Sequence, residues 1–321
     1  MSVTGEPDAL AADAAAAAEP GLSPGRLRLR RFLRHLPAVV SLAVLALLGL
    51  AALGAPLIEA WMGLDATAVD LFARAGAPSA QHPLGTDELG RDLLLRLLYG
   101  GRVSLAVGLM AALCAALIGT LLGLLAGYYG GLLDSAVMRL ADTVIALPLL
   151  PLLIVLAAVD LSKLGLPPEL ATSEEVSLYR IVGLIALVGW TVTARLVRGA
   201  VLSLKRREYV MAAEALGARP ARVMWVHLLP NAVSPIVVAA TLSVGNVILL
   251  ESVLSFLGLG IQPPVPSWGN MLTGAQETIW SAPWLAIWPG LLIFVTVIAF
   301  NFLGDGLQDA LDPKAEAERA G

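Results

Sequence analysis

Long apolar runs alternate with short polar stretches through most of this chain. Leu36 to Ile58 carries no charge, and neither does Val103 to Leu133. Further apolar runs follow Asp134 and Arg139, begin near Arg180, extend from about Ala232 to Leu254, and extend from about Trp284 to Leu303. About 20 apolar residues suffice to cross the hydrocarbon of a bilayer. Lipid offers no partner for backbone N–H and C=O groups, so such runs cross as helices. The pattern predicts an all-α, polytopic membrane protein with about six transmembrane helices.

The same pattern sets the organisation. Residues 1–35 read as a disordered, basic tail, Ala-rich at first and then carrying Arg26, Arg28, Arg30, Arg31 and Arg34. Residues 36–58 are the first span, a retained anchor that is longer than the apolar core of a cleaved signal. Residues 59–102 form a polar segment outside the membrane, residues 103–304 a five-helix core interrupted by a polar loop at 205–231, and residues 305–321 a tail.

Local signals refine this. Thr86 or Asp87 is placed to cap a helix, and Leu89, Leu93, Leu94, Leu97 and Leu98 make an amphipathic helix along the interface. Tyr128, Tyr129, Gly130 and Gly131 mark an interface turn. Pro148 and Pro151 should bend the third span. Asp142 lies about one turn into that span, with Arg139 three residues away as its pairing candidate. Glu251 lies near the outer end of the fifth span, as a solvated cap or as a lining residue of an outer path. Ser255 to Leu272 is a Gly/Pro-rich outer segment whose Trp268 suits the interface, and 160–179 is a polar outer loop.

Composition agrees. The chain is 58% hydrophobic and 14% charged over 321 residues, against about 45–50% and about 25% in soluble domains; its mean hydropathy is +0.80. The single Cys114 lies in an apolar run, and His35, His82 and His227 lie on different loops, so neither a disulfide nor a metal site is expected. No phosphate-binding G-x-x-x-x-G-K-[ST], and no H-E-x-x-H or G-x-S-x-G, occurs. Six spans with both termini cytosolic put the Arg26–Arg34 cluster, Arg139, the basic residues from Arg195 to Arg222, Lys314 and Arg319 inside. That is most of the 21 lysines and arginines, as the positive-inside rule requires.

The chemistry concentrates in Glu208–Asn231, EYVMAAEALGARPARVMWVHLLPN. Tyr209, Ala212, Ala213 and Leu216 recur at helical spacing. Gly217 suits the left-handed residue that closes a helix, and Pro220 the first turn of another. The second helix would align Val223, Met224, His227 and Leu228, and Pro230 would end it. This stretch resembles the EAA loop of ABC-importer permeases, with Ala212, Ala213, Gly217, Leu229 and Pro230 at that spacing. It departs at Met211, where the pattern has glutamate, and at His227, where it has isoleucine. Glu208 and Glu214 flank Met211 by about a turn. The resemblance implies a coupling helix that docks on an ATP-hydrolysing subunit, with Glu208, Met211, Ala212, Ala213, Glu214, Gly217, Leu229 and Pro230 as its contact residues.

His82 to Ser104 closely resembles the segment before the second span in C-type members of the dipeptide/oligopeptide/nickel permease family. The residues that carry the match include His82, Pro83, Gly85, Thr86, Asp87, Gly90, Arg91, Asp92, Arg96, Gly100 and Arg102. The outer segment at 255–272 and the ending LGDGLQDALDPK resemble it too. The resemblance implies a type I ABC importer permease fold and a non-catalytic subunit in a bacterial cytoplasmic (inner) membrane. It implies import of dipeptides or oligopeptides, with nickel or another small solute as the alternative. The partners implied are a B-type permease as heterodimer, two ABC ATPases carrying ATP and Mg, an extracytoplasmic solute-binding protein and the lipid bilayer. No cofactor is expected in this chain, and no nucleic acid. Asp87, Arg91, Asp92, Asn246 and Glu251 are the candidate residues of a translocation path or outer gate. An ion-gradient-driven secondary transporter is the reading of a different class; it would need ionisable groups at the midplane.

Overall fold

A computed structural model describes residues 24–159, 163, 167 and 173–311. The tail at 1–23, most of the outer loop at 160–172 and the last residues from 312 lie outside the described residues. Among the described residues there is no strand, only an isolated bridge between Thr86 and Asp92. Among them, five helices are long and apolar enough to cross a membrane, or six if one bent pair is a single span.

The first helix, α1 (Pro24–Arg34), occupies the stretch expected as irregular basic tail. His35 then leaves the helical region (φ −84°, ψ 83°), and its Nδ1 accepts from the Ala38 N–H at 3.2 Å, which starts α2 (Leu36–Leu53). The expected uninterrupted span to Ile58 instead stops at Gly54. Pro56 fits the first turn of the short α3 (Ala55–Met62), where its missing N–H costs no hydrogen bond.

The next helix, α4 (Leu93–Tyr129), runs unbroken for 37 residues, about 55 Å at 1.5 Å per residue. It absorbs most of the expected interfacial helix, leaving Leu89 in a turn before it. Its cap is Asp92, whose Oδ1 accepts from the Leu95 N–H at 2.8 Å, rather than Thr86 or Asp87. Gly100 and Gly101 do not interrupt it, because Trp268 packs against both.

Gly130 and Gly131 (φ +67° and +58°) make the expected turn. Helices α5 (Gly131–Ala146) and α6 (Leu149–Ala157) follow, bent by 92°. The break falls at Leu147, which is extended (φ −79°, ψ 143°), as the residue before a proline tends to be.

Helix α7 (Glu174–Leu204) runs parallel to α4 at very close range. A Cβ on Gly119 would lie 2.6 Å from the Trp190 carbonyl, one on Gly123 2.5 Å from the Ala194 carbonyl, and one on Gly127 2.9 Å from Val201. Small residues every fourth position let backbones approach, and van der Waals contact then replaces the hydrophobic drive that lipid cannot supply. Helix α8 (Glu208–Ala215) and α9 (Pro220–Phe256) follow; α9 carries a π-turn at Val223–Leu228. Pro230 does not end α9. The wider turn comes just before the proline, where an α-helical carbonyl would meet its ring.

The described residues close with α10 (Trp268–Thr278) and α11 (Trp284–Leu311). Residues 305–311, expected as tail, are the last turns of α11. It runs antiparallel to α9: Gly245 faces Val297 and Phe300, and Gly304 faces Leu242. His35 meets Asp309 at 3.6 Å. One face of the bundle therefore holds α1, the loop at 205–231 and the end of α11.

Gly123→Val is expected to destabilise the purified protein by about 1–3 kcal/mol, the usual range for overpacking. Gly183→Ala, where a Cβ meets nothing, should be neutral or slightly stabilising. Thermal unfolding of both in one detergent checks the contrast.

Candidate functional site

The loop expected to dock a partner is rigidly built. Gly217 (φ +80°) closes α8. The Ala218 N–H donates to the Ala213 carbonyl at 3.0 Å and the Gly217 N–H to the Glu214 carbonyl at 2.9 Å, the Schellman pattern that a left-handed glycine permits. Arg219 precedes Pro220, and the chain re-enters a helix. Val210, Val223, Met224 and Leu228 are buried together with Leu124, Val197 and Val201 of α4 and α7. The face predicted for the second helix, Val223, Met224, His227 and Leu228, is thus the anchored one, with His227 half-buried at its edge, whereas the stripe predicted on the first, Tyr209, Ala212, Ala213 and Leu216, is mostly exposed.

The opposite face of α8 is bare. Leu216 is 89% exposed and Met211 50%; Glu208, Ala212, Gly217 and Pro230 are exposed, while Ala213 and Leu229 are half-buried. The flanking glutamates differ. Glu208 stands in the first turn of α8, whereas Glu214 is half-buried and lies near the Tyr128 hydroxyl at the end of α4. Lys205 donates to the Tyr128 carbonyl at 2.8 Å and lies 4.9 Å from its ring centre. Tyr128 thereby ties α8 to the span bundle.

At the end of the bundle away from that loop, the candidate gate residues mostly hold their own loop together. Asp87 Oδ1 accepts from the Leu89 and Arg91 N–H groups, both at 2.9 Å. Its Oδ2 meets Arg91 Nε at 2.8 Å and Arg96 Nε at 3.1 Å. Asp92 uses one oxygen to cap α4 and the other to meet His82 Nδ1 at 2.9 Å. Thr86 accepts from the Gly76 N–H at 2.8 Å and donates to the Ala73 carbonyl. Gly90 (φ +76°) is required, because a Cβ there would run into the Asp70 carbonyl. A cavity of about 330 Å³ lies between this loop and α10, lined in part by Asp87, Glu88, Arg91, Arg96, Asn270 and Gly274. Burial, and then the neighbouring Asp87 and Glu277, push the Glu88 carboxyl above its usual range.

Glu251 is neither a solvated cap nor a surface group of this chain: it is 0% exposed. Ser104 of α4 donates to one of its oxygens at 3.2 Å, and Ser255 to the other at 2.7 Å. Each serine also accepts from the outer segment, Ser104 from the Trp268 N–H at 3.2 Å and Ser255 from the Ile261 N–H at 3.0 Å. Trp268, expected at the interface, is buried at 2% exposure and donates from Nε1 to the Leu97 carbonyl at 2.9 Å. Glu251 thus latches the Gly/Pro-rich segment to α4 and α9. Asn246 lies exposed on α9, apart from the other gate candidates.

Near the opposite end, two ion pairs join α5 to α7. Asp142 meets Arg195, not Arg139. The same-helix partner loses to an arginine delivered by a packed neighbour. Asp134 takes a two-pronged contact from Arg198, one arm at 2.6 Å. The sequence reading missed the Asp134–Arg198 and Tyr128–Glu214 contacts. Their only sequence signal is an opposite charge or polar group at another span's end.

Comparisons with known proteins align with this architecture. A family model described as binding-protein-dependent transport system inner membrane component matches residues 119–317. A second, described as the N-terminal TM domain of oligopeptide transport permease C, matches residues 23–72. A dipeptide transport system permease protein of Alkalihalophilus pseudofirmus is 40% identical over 296 residues, 92% of each chain. Oligopeptide transport system permease proteins are similar too. That of Escherichia coli is 42% identical over 285 residues, 89% of each chain. That of Bacillus subtilis is 38% identical over 304 residues, 95% of this chain and 94% of its own.

Glu251→Ala should cost about 1–3 kcal/mol, because it strands buried hydroxyls, and should loosen 257–267 in hydrogen exchange, with Glu251→Gln milder. For Glu88 the sign follows from its raised carboxyl. Its folded form binds a proton more tightly than its unfolded form, so stability falls as pH rises from the usual carboxylate range through the raised value. Glu88→Gln is expected to flatten that fall and leave stability at low pH unchanged, as pH-dependent melting would show.

Proposed function

Because this chain belongs to the family of binding-protein-dependent transport system inner membrane components, we propose that it is the C-type permease subunit of an ATP-driven importer of dipeptides and oligopeptides. The observation that carries this reading is the bare apolar face of α8, Met211 and Leu216, hung rigidly from α4, α7 and α9 on the Arg-rich face of the bundle. Exposed apolar side chains on an otherwise well-anchored helix fit a docking surface. The peptide cargo is supported by the names of the relatives.

In this reading the Arg-rich face is cytosolic, both termini lie there, and two ABC ATPases dock on α8 and on its counterpart in a B-type permease. ATP and Mg belong to those partners, and this chain is non-catalytic. An extracytoplasmic solute-binding protein delivers cargo to the outer face. Asn246, an exposed amide on a spanning helix, fits a path or a permease partner better than lipid, because a polar group facing hydrocarbon is costly. Force applied at α8 reaches α4 and α7 through Val210 and Tyr128. Through α9 it reaches Glu251 and the outer segment, so one rod joins the docking loop to the outer closure.

Leu216→Asp is expected to leave the protein in the membrane, abolish co-purification of the ATPases and stop peptide uptake. Gly217→Val, which cannot hold φ +80° without strain, should behave similarly, while Gly217→Asn, which tolerates the left-handed region, should retain activity. Normal uptake by Leu216→Asp would sink the docking assignment. Uptake that survives ATP depletion but collapses with an uncoupler would transfer the assignment to a secondary transporter.

A further inference from the structure

Helix α1 has three distinct faces. Leu27, Arg31 and Phe32 turn inward and are half-buried. Arg26, Arg30 and Arg34 recur every fourth residue and form one exposed stripe, since residues four apart share a helix face. Leu29 and Leu33, 58% and 59% exposed, form the adjoining stripe. Arg28 is exposed as well, and the helix contains no acidic residue. Nothing else in the described chain covers the leucine stripe.

We propose that α1 is an anionic-phospholipid-binding helix, lying in the interface with Leu29 and Leu33 among the acyl chains and Arg26, Arg30 and Arg34 on headgroup phosphates. Two independent observations choose lipid over other occupants. The exposed leucines adjoin the apolar surface that α2 presents to the bilayer, which begins with Leu36 at 70% exposure just beyond the His35 bend. The arginines flank those leucines, which is the arrangement of helices that lie on membranes. Basic clusters beside a span are attracted to anionic headgroups. Placing α1 at the cytosolic leaflet rests on the importer reading above; the lipid contact itself does not. The helix also packs on α11, and just beyond it His35 lies beside Asp309 and Ala38 of α2 lies against Gly306. Lipid held there therefore bears on the same face as the docking loop.

The test uses the full chain with Cys114→Ala and an environment-sensitive fluorophore on Leu33→Cys, in nanodiscs of phosphatidylcholine with rising phosphatidylglycerol. The label should move to an apolar environment as the anionic fraction rises. Adding Arg26→Gln, Arg30→Gln and Arg34→Gln should weaken that response by about a hundredfold in apparent affinity, at about fivefold per arginine. A label that stays in water at every composition overturns the proposal, as does an identical response from the triple-glutamine variant. If the label is shielded in pure phosphatidylcholine and freed by deleting residues 1–23, the acidic leader with Glu6, Asp8, Asp13 and Glu19 is the occupant, and the lipid assignment falls. Lipid extraction and mass spectrometry of both purified proteins gives a second readout: phosphatidylglycerol retained by the parent and lost from the variant, with phosphatidylcholine unchanged.

Discussion

The parallel contact between α4 and α7 is the constraint on which the rest depends. Three glycines four residues apart bring the two backbones to a separation that no side chain would tolerate. Helices in lipid gain nothing from burying apolar surface against one another, so close packing is what holds them. The contact fixes the ends of both helices, and those ends carry Tyr128 and Lys205, which hold α8 in place. A helix hung outside the bundle keeps one position only if its support does not yield. The buried cluster of Leu124, Val197, Val201, Val210 and Leu228 supplies that support.

A second constraint acts at the other end of α9. Glu251 is a carboxyl group withdrawn from water and answered by two serine hydroxyls. Each hydroxyl passes the connection on to a backbone N–H of the outer segment. Truncating such a group leaves several partners unsatisfied at once, which makes the network cooperative. The loop at 73–92 is organised differently, by Asp87, Asp92 and Thr86 folding the chain around themselves. Its motif residues are first of all the reason that loop has one shape, and the cavity beside α10 is a consequence of that shape.

Much of the architecture was legible from residue order. Apolar runs located the spans, since a bilayer imposes a minimum length. Gly217 and Pro220 announced the helix, elbow and helix of the loop at 208–231, because left-handed closure and a proline first turn are local backbone chemistry. Tyr128 to Gly131 announced their turn for the same reason. The resemblance at 82–104 and 208–231 led to the family, which the comparisons then established. Where the reading failed, a distant partner had overruled a local preference. The polar segment was expected to run to Arg102 and the span to begin at Val103, but Trp268 packs on Gly100 and Gly101 and α4 runs unbroken from Leu93. Arg139 was the nearest partner for Asp142 along the chain, but α7 delivers Arg195. Trp268 looked interfacial, but it fills the space those glycines leave.

What the sequence by itself determined, then, was the class of molecule, the approximate course of its spans and the shape of the loop at 208–231. These follow from hydropathy and from glycine and proline geometry, which act within a few residues. Only the tertiary structure decided which carboxylates are buried, which pair across helices, which face of α8 is bare and that α1 is a helix with two exposed stripes. Those outcomes depend on contacts between residues far apart in the chain, such as Leu97 and Trp268, which are 171 residues apart. Periodicity cannot assign such contacts, because any of several spans could supply the partner until close packing selects one.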